Sequence, residues 1–257
     1  MKQNEIESRI LEIWEKPEHF RSRFQPCVTD PDYFHLTDLL QFLNQFATTD
    51  KLTVLDYGAG SSPYQSLFPR ADYRKADIIG AAGLQYHLPA DSTVSEKDET
   101  FDLILSTQVA EHVANPDTYF RECFRLLKKG GKLILTTHGT WEEHGVPWDF
   151  QRWTEQGMRR DLRHAGFMQP KIHKVTCGFR AIMLLFSRTY FAAPPPASWL
   201  PQKAFKLMRF TYSRLFVPLI NLWGDKYWSH ERIVVADEDK VTSPFYIVIA
   251  AVAEKPE

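Results

Sequence analysis

A short apolar strand that runs straight into a glycine turn is the feature that most constrains this chain. Residues 52–56 read Leu-Thr-Val-Leu-Asp, and Gly58-Ala59-Gly60 follows almost at once. Glycine accepts backbone angles that other residues resist and lets the chain pass close to a ligand. The segment therefore predicts an α/β domain whose first strand ends in a ligand-binding turn.

Further strand patterns alternate with helical ones along the chain. Strands are predicted at 72–78, 101–106, 132–137 and 245–252. Between the second and third of these, Asn115 and Pro116 form a helix start, and Gly130-Gly131 marks its end. A further helix is expected from Thr154 to Gly166. This alternation predicts an open, mostly parallel sheet with helices on both faces.

The predicted domain boundaries lie where the alternation of strands and helices begins and ends. Residues 1–50 are predicted to form an N-terminal helical segment. Residues 51–177 together with 244–257 form the α/β domain. Residues 178–243 break the alternation and predict a helical insertion before the last strand.

Composition excludes several classes of protein. With 31 Lys and Arg against 32 Asp and Glu, the 257-residue chain does not have a surface that is basic throughout, so no nucleic-acid partner is expected. Three widely spaced cysteines without a Cys-x-x-Cys pair argue against a cysteine zinc site and a disulfide framework. The start lacks a secretory h-region, and no apolar run is long enough to span a membrane. A cytoplasmic protein is expected.

The residues around the glycine turn favour a particular ligand chemistry. Asp56 precedes the glycines, where its charge would repel a dinucleotide pyrophosphate. Pro63 replaces the third glycine of the dinucleotide fingerprint, and Asp77 ends the next strand, where it can accept hydrogen bonds from ribose hydroxyls. A cationic sulfonium nucleoside fits these carboxylates better than an anionic cofactor does.

Two sequence stretches in this order and spacing resemble a known family. VLDYGAGSSPY and, after Asp77, TFDLILSTQVAEHVANPDTYFRECFRLLKKGGKLILTTHG are similar to class I S-adenosylmethionine-dependent methyltransferases. The resemblance implies a Rossmann-like, seven-stranded sheet whose last strand is antiparallel. It also implies S-adenosylmethionine as cofactor, with Asp77 at the ribose and Asp91 at the adenine. The other residues that it implies at the cofactor are Asp56, Tyr57, Gly58, Gly60, Ser92, Thr107, Gln108 and His112.

The loop after the strand 132–137 is the predicted acceptor site, because ligands of open α/β sheets lie beyond the carboxyl ends of the strands. Its pattern T-H-G-x-W-x-x-H-x-x-P-x-D-x-x-R-W-T resembles a type 11-like subgroup that often accompanies polysaccharide and glycolipid assembly. His138 is the first candidate for a general base and His144 the second. The candidate substrate-binding residues are Trp148, Asp149 and Arg152.

Each of these loop residues has a structural alternative. The histidines and Asp149 could tie the loop down by hydrogen bonds, Arg152 could pair with Asp149 or Glu155, and the tryptophans could be core residues. No metal is expected, because no H-E-x-x-H spacing is present and methyl transfer to oxygen or nitrogen needs none.

The predicted insertion is rich in basic and aromatic residues. Residues 178–232 carry eight basic and two acidic residues, together with 12 of the 35 aromatic residues. One side of a helix here would carry Phe205, Met208, Tyr212, Leu215, Phe216 and Leu219. The other side would carry Lys203, Lys206 and Arg214. Three roles stay open: a lid that packs over the acceptor site, a homodimer contact, and peripheral contact with the inner membrane surface through 199–223.

The sequence thus predicts transfer of a methyl group to an oxygen or nitrogen of a small molecule, a sugar or a lipid-linked glycan. Two alternatives remain. One is a catalytically silent methyltransferase-fold subunit that binds partners through the insertion. The other is a nicotinamide-dependent oxidoreductase, which Asp56, Pro63 and the lack of a second nucleotide-binding half disfavour.

Overall fold

The computed structural model describes residues 8, 11–12, 16–79, 83–89 and 92–257. An eight-stranded sheet with the order β3-β2-β1-β4-β5-β8-β6-β7 forms the centre of the described structure. The strands are β1 (Thr53–Tyr57), β2 (Asp72–Asp77), β3 (Tyr86–His87), β4 (Phe101–Thr107), β5 (Leu127–His138), β6 (Lys171–Cys177), β7 (Ile233–Val235) and β8 (Tyr246–Glu254).

Strands β1 to β5 pair in parallel, and β8 lies antiparallel between β5 and β6. The predicted α/β fold with an antiparallel last strand is therefore confirmed. The described residues form eight strands, one more than the seven expected. The extra strand, β7, has only three residues and lies inside the predicted helical insertion, where it extends the sheet edge beside β6.

The helices flank the sheet on both faces. They are α1 (Pro17–Phe24), α2 (Tyr33–Asn44), α3 (Pro116–Leu126), α4 (Glu155–Ala165), α5 (Gly178–Ala192), α6 (Trp199–Thr211) and α7 (Val217–Tyr227). A π-helical stretch, Tyr212–Phe216, joins α6 to α7. No helix among the described residues is both long and apolar enough to cross a membrane.

Two helix starts use the caps that the sequence predicts. The side chain of Asn115 accepts a hydrogen bond from the Thr118 N–H at 3.2 Å, and Thr154 accepts one from Gly157 at 3.2 Å. Gly166 ends α4 with φ 114°, an angle that favours glycine. The predicted end of α3 at Gly130-Gly131 is wrong, because α3 stops at Leu126 and these glycines lie within β5.

The core is divided between the two faces of the sheet. On one face α3 and α4 pack through Phe120, Met158, Leu162 and Trp153. On the other, α2 and α5 pack through Phe34, Phe42, Ala181 and Leu184. The N-terminal helix α2 is thereby part of the domain and covers the sheet beside the glycine turn.

Helix α7 of the insertion is fastened to the domain on one side. The Asn221 side chain donates to the carbonyls of Val28 and Asp30 at 2.8 and 3.1 Å. Gly224 lies so close to Phe34 that a Cβ there would be 2.3 Å from the ring. This close approach requires glycine and fixes the inner side of α7 against α2.

Candidate functional site

The glycine turn after β1 is held against the neighbouring strand. Gly58 and Gly60 have φ angles of 77° and 50°, which favour glycine. The N–H groups of Gly58 and Ala59 donate to the carbonyl of Ala76 at 2.8 and 3.0 Å. A Cβ on Gly58 would lie 2.4 Å from Val109 Cγ2, so the turn has no room for a larger residue.

Two buried carboxylates support this turn from within. Asp77 accepts hydrogen bonds from the Gly60 N–H at 2.8 Å and the Ile79 N–H at 3.0 Å, and burial raises the pKa of Asp77. Asp56 accepts one from the Tyr73 hydroxyl at 2.7 Å, and burial raises the pKa of Asp56 to about 7. Both side chains thus order the protein around the turn.

A pocket of about 150 Å³ opens at the turn. Four predicted cofactor residues line it: Gly58, Gly60, Thr107 and Gln108. Helices α1 and α2 close its far side with Arg23, His35, Leu36 and Leu39. Ligand pockets usually exceed about 300 Å³, so this pocket is smaller than one that encloses a whole ligand of ordinary size.

Gln108, which lines the pocket, has a polar side-chain atom without a hydrogen-bond partner among the described residues. It has a positive φ of 57° and donates to Thr136 Oγ1 at 3.2 Å. Its Oε1 is buried and has no hydrogen-bond partner within the described part of the chain. A buried acceptor without a partner is costly, so this atom is suited to a donor group of a ligand.

The other predicted cofactor residues that the structure describes lie outside that pocket lining. The Tyr57 hydroxyl donates to the Ser92 carbonyl, and its ring packs on Tyr119 at 5.0 Å. His112 Nδ1 is 2.6 Å from the Trp148 carbonyl, which places His112 against the acceptor loop. Asp91 lies outside the described residues.

The predicted acceptor loop, residues 138–154, of which His138 still belongs to β5, lies against a short turn, Ala110–His112. The Phe150 N–H donates to the Glu111 carbonyl at 2.9 Å. The Gln151 side chain donates to the carbonyls of Ala110 and Val113 at 3.0 and 2.7 Å. The loop therefore has a fixed position at the carboxyl end of β4 and β5.

Two of the three predicted substrate residues bond to each other. Arg152 donates to both carboxylate oxygens of Asp149, with the longer of the two bonds at 2.8 Å, and the His144 N–H also donates to Asp149. The Arg152 guanidinium holds the pKa of Asp149 below its usual range. In this arrangement the pair holds the loop in place, as in the structural alternative given above for Asp149 and Arg152. Trp153 is a core residue, 6% exposed, whereas Trp148 is half-buried.

The candidate histidines form a cluster of rings. His138, at the end of β5, stacks on Trp141 with a centroid distance of 4.6 Å and an interplanar angle of 4°. His144 meets it edge-on at 5.1 Å, and His35 from α2 lies at 5.8 Å. Since His35 also lines the pocket at the glycine turn, the cluster and the pocket adjoin.

Burial separates the two candidate bases. His138 is 4% exposed, and burial followed by the charges of nearby groups lowers the pKa of His138 well below its ordinary value. The side chain of His144 is 32% exposed, and burial also lowers the pKa of His144. Both rings are therefore neutral at neutral pH, and His144 is the more accessible of the two.

Glu111 is a site residue that the sequence analysis did not single out. Its side chain is fully buried, and Thr137 Oγ1 donates to Oε2 at 2.7 Å. Oε1 lies 3.5 Å from His138 Nε2 and has no hydrogen bond to any described residue. Burial raises the pKa of Glu111. In the sequence Glu111 is marked only by its place beside His112, a predicted cofactor residue.

Glu111, His138 and His144 also offer the ligand types of a metal site. Their potential ligand atoms lie within 4.8 Å of one another, the one such group found in the described ranges. Zinc about 2.1 Å from each ligand would bring the ligand atoms to about 3.4 Å apart. The trio would thus have to contract to hold an ion.

Comparison with known proteins agrees with this architecture. Residues 55–135 match the family described as "Methyltransferase domain". A ubiquinone biosynthesis O-methyltransferase of Maricaulis maris is 41% identical over 51 residues, which cover 20% of this chain and 20% of that protein. The corresponding protein of Cereibacter sphaeroides is 31% identical over 104 residues, which cover 34% of this chain and 41% of that protein.

Among solved structures, a SAM-dependent methyltransferase of Thermotoga maritima superposes with a TM-score of 0.55 at 15% identity, covering 98% of this chain and 99% of that one. Residues 55–135 therefore match a methyltransferase domain, and the described structure has the α/β fold of that neighbour, as the sequence predicts. A phosphoethanolamine N-methyltransferase 2 of Haemonchus contortus, solved in complex with S-adenosyl-L-methionine, superposes with a TM-score of 0.52 at 15% identity, covering 96% of this chain and 60% of that one. The matched regions span less than half the length of the two curated relatives named above.

Proposed function

We propose that this protein transfers a methyl group from S-adenosylmethionine to an oxygen or nitrogen of a small-molecule, sugar or lipid-linked glycan acceptor. The observation that carries the proposal is that His35 belongs both to the pocket at the glycine turn and to the histidine cluster. A pocket for the donor thus adjoins groups that can remove a proton from an acceptor.

The residues around the pocket fit the donor. Gly58 and Gly60 bring backbone close to the ligand, and Gln108 Oε1 can accept a hydrogen bond from it. When bound, S-adenosylmethionine supplies a methyl group on a sulfonium sulfur. The task of the chain is then to align the acceptor atom with that methyl group, which is a matter of proximity and orientation.

The acceptor's proton is assigned to His144. A neutral imidazole can accept a proton from a hydroxyl or an ammonium group. His144 is the exposed ring of the cluster, whereas His138 lies behind it between Trp141 and Glu111. In this proposal His138 is a positioning residue that holds the His144 ring edge-on.

The decisive experiment combines calorimetry with a transfer assay. The protein should bind S-adenosylmethionine and not NADH, and it should transfer labelled methyl groups into a glycan, lipid or small-molecule fraction of a cell extract. NADH binding without S-adenosylmethionine binding would indicate an oxidoreductase. Binding without transfer to any fraction, including protein and RNA, would favour the silent subunit.

A chelator control tests the metal-free mechanism. Transfer should survive treatment with EDTA, because the assigned proton acceptor is a neutral histidine. Loss of transfer that Zn²⁺ or Mg²⁺ restores would instead assign Glu111, His138 and His144 to a metal site.

A further inference from the structure

The outer surface of helices α6 and α7 is exposed and apolar. Nine large apolar or aromatic side chains on these helices and the stretch between them are 50–66% exposed. They are Leu207, Met208, Phe210, Leu215, Phe216, Leu219, Leu222, Trp223 and Tyr227. We refer to these nine residues as the outer face.

This concentration is unusual for a surface in water. Ile182 and Phe186 of α5 are also exposed, so 11 of the 18 large apolar side chains found exposed in the described residues lie between 182 and 227. At about half exposure each, they present on the order of 1,000 Å², whereas the largest apolar patch of a soluble monomer is about 300–600 Å². Such a surface is normally covered by a partner.

Packing against the domain does not account for this surface. The inner side of α7 already contacts the domain through Val217, Asn221 and Gly224. Leu219, Leu222 and Trp223 lie on the opposite side of the same helix, at about 100° per residue. A helix that is apolar all round is normally buried all round, and the described part of the chain covers only the inner side of α7.

The charges beside the outer face are of one sign. From 178 to 224 the sequence has no acidic residue, and Lys206, Arg214 and Lys226 are exposed. Asp225 and Glu231, the two acidic residues that follow, face the domain. Asp225 accepts hydrogen bonds from Tyr33 and Arg180 at 2.6 and 3.1 Å, and Glu231 accepts one from the Arg180 N–H at 3.3 Å.

We propose that the outer face docks on an anionic lipid bilayer. Apolar side chains insert at the headgroup boundary while lysines and arginines meet lipid phosphates, and Trp223 and Tyr227 are the ring types favoured at that depth. A two-fold dimer through this face would bring two basic surfaces together, whereas anionic headgroups neutralise them. Charge complementarity therefore selects the bilayer over a second copy of the chain.

Side-chain contacts of α5 connect the insertion to the proposed acceptor site. Arg188 of α5 forms ion pairs with Asp32 and with Glu142 of the acceptor loop. Its guanidinium also lies 4.4 Å from the centre of the Trp141 ring, which stacks on His138. Docking through α5 to α7 would thus hold the site close to the membrane, where a lipid-linked acceptor would be found.

Vesicle co-sedimentation tests the proposal without any methyl transfer. The protein should bind vesicles that contain phosphatidylglycerol, bind vesicles of pure phosphatidylcholine at least about tenfold more weakly, and lose binding as salt is raised. Absence of binding to the anionic vesicles, or equal binding to both kinds, overturns it. S-adenosylmethionine calorimetry reports separately on the proposed function.

Matched variants locate the surface. The double variant Leu219→Glu/Trp223→Glu should weaken vesicle binding at least about tenfold, since it places charges where apolar side chains insert. Met168→Glu is the control, because Met168 is 67% exposed outside the insertion and should bind as the unaltered protein does. Arg214→Glu/Lys226→Glu should weaken binding to anionic vesicles alone.

The main competing occupant is a second copy of the chain. Sedimentation velocity should show a monomer whose association state Leu219→Glu/Trp223→Glu does not change. A dimer that this variant dissociates, combined with unaltered protein that does not bind vesicles, would overturn the proposal. Unchanged far-UV circular dichroism and S-adenosylmethionine binding in each variant would show that it is folded.

Discussion

Glu111 Oε1 lies 3.5 Å from His138 Nε2, and both side chains are buried at the end of the central strands. Burial raises the pKa of Glu111 and lowers the pKa of His138, so both shifts favour the uncharged forms. A charge on either side chain of this pair is unfavourable because both are buried. The stability of the protein should therefore depend on the protonation of Glu111.

Glu111→Gln should gain stability relative to the unaltered protein as pH rises. Because the pKa of Glu111 is raised in the folded state, its stabilising contribution is full below the ordinary value of about 4.3 and is lost as pH rises through the folded value. Glutamine keeps the side-chain volume and does not titrate. Melting temperatures from about pH 5 to pH 8 test this. A difference between the two proteins that stays constant with pH would contradict it.

His144→Ala should lower kcat by about 10²-fold and leave S-adenosylmethionine affinity unchanged. The pKa of His144 is lowered, so the fall in activity on the acid side should lie below the ordinary histidine value of about 6.5 and disappear in this variant. His138→Gln changes a positioning residue and should therefore keep the fall in activity on the acid side. If that fall disappears in His138→Gln instead, His138 is the base.

The sheet and the glycine turn were predictable because their signals are local. The strand patterns, the Asn115 and Thr154 caps and the closing glycine at 166 each depend on adjacent residues. The role of His35 in the site was not predictable. It lies on a helix about 100 residues before His138, and only the packing of α2 on the sheet brings the rings together.

The carboxylates show a second limit of sequence reasoning. Asp56 and Asp77 occur at the positions that the resemblance implies, but a motif does not show what else their oxygens bond. Here they accept hydrogen bonds from Tyr73 and from Gly60 and Ile79. Similarly, the sequence leaves several partners open for Arg152, and the structure shows that it donates to Asp149.

Gly58→Ala should weaken S-adenosylmethionine binding by about tenfold or more. The new Cβ would lie 2.4 Å from Val109 Cγ2, and the φ of 77° adds strain for any residue with a side chain. Adding Val109→Ala removes the two Cγ contacts, leaves the Val109 Cβ 3.1 Å from the new Cβ and does not remove the strain. The double variant should therefore recover part of the affinity in calorimetry, and full loss in both would mean that backbone strain alone decides.

Arg180→Met should reduce the free energy of unfolding by about 3 kcal/mol, because it removes the closer of the two arginines that pair with the buried Asp38 carboxylate and leaves Arg232 and Thr176. Arg180 is fully buried and donates to both oxygens of Asp38 at 2.6 and 2.9 Å. The control is Arg121→Ala, whose exposed pair with Asp117 should contribute less than about 1 kcal/mol. Urea unfolding measures both changes. Similar effects of the two variants would contradict the expectation.

Arg188→Ala should loosen the acceptor loop while leaving the cofactor pocket unchanged. The variant removes the ion pairs with Asp32 and Glu142 and the contact with the Trp141 ring, so α5 no longer holds the loop. Amide exchange in residues 139–145 should become faster, and the KM for the acceptor should rise more than kcat falls. Arg160→Ala, which removes an exposed arginine paired with Asp161, is the control and should change neither quantity. Weaker S-adenosylmethionine binding in Arg188→Ala would contradict the expectation, because Arg188 does not line that pocket.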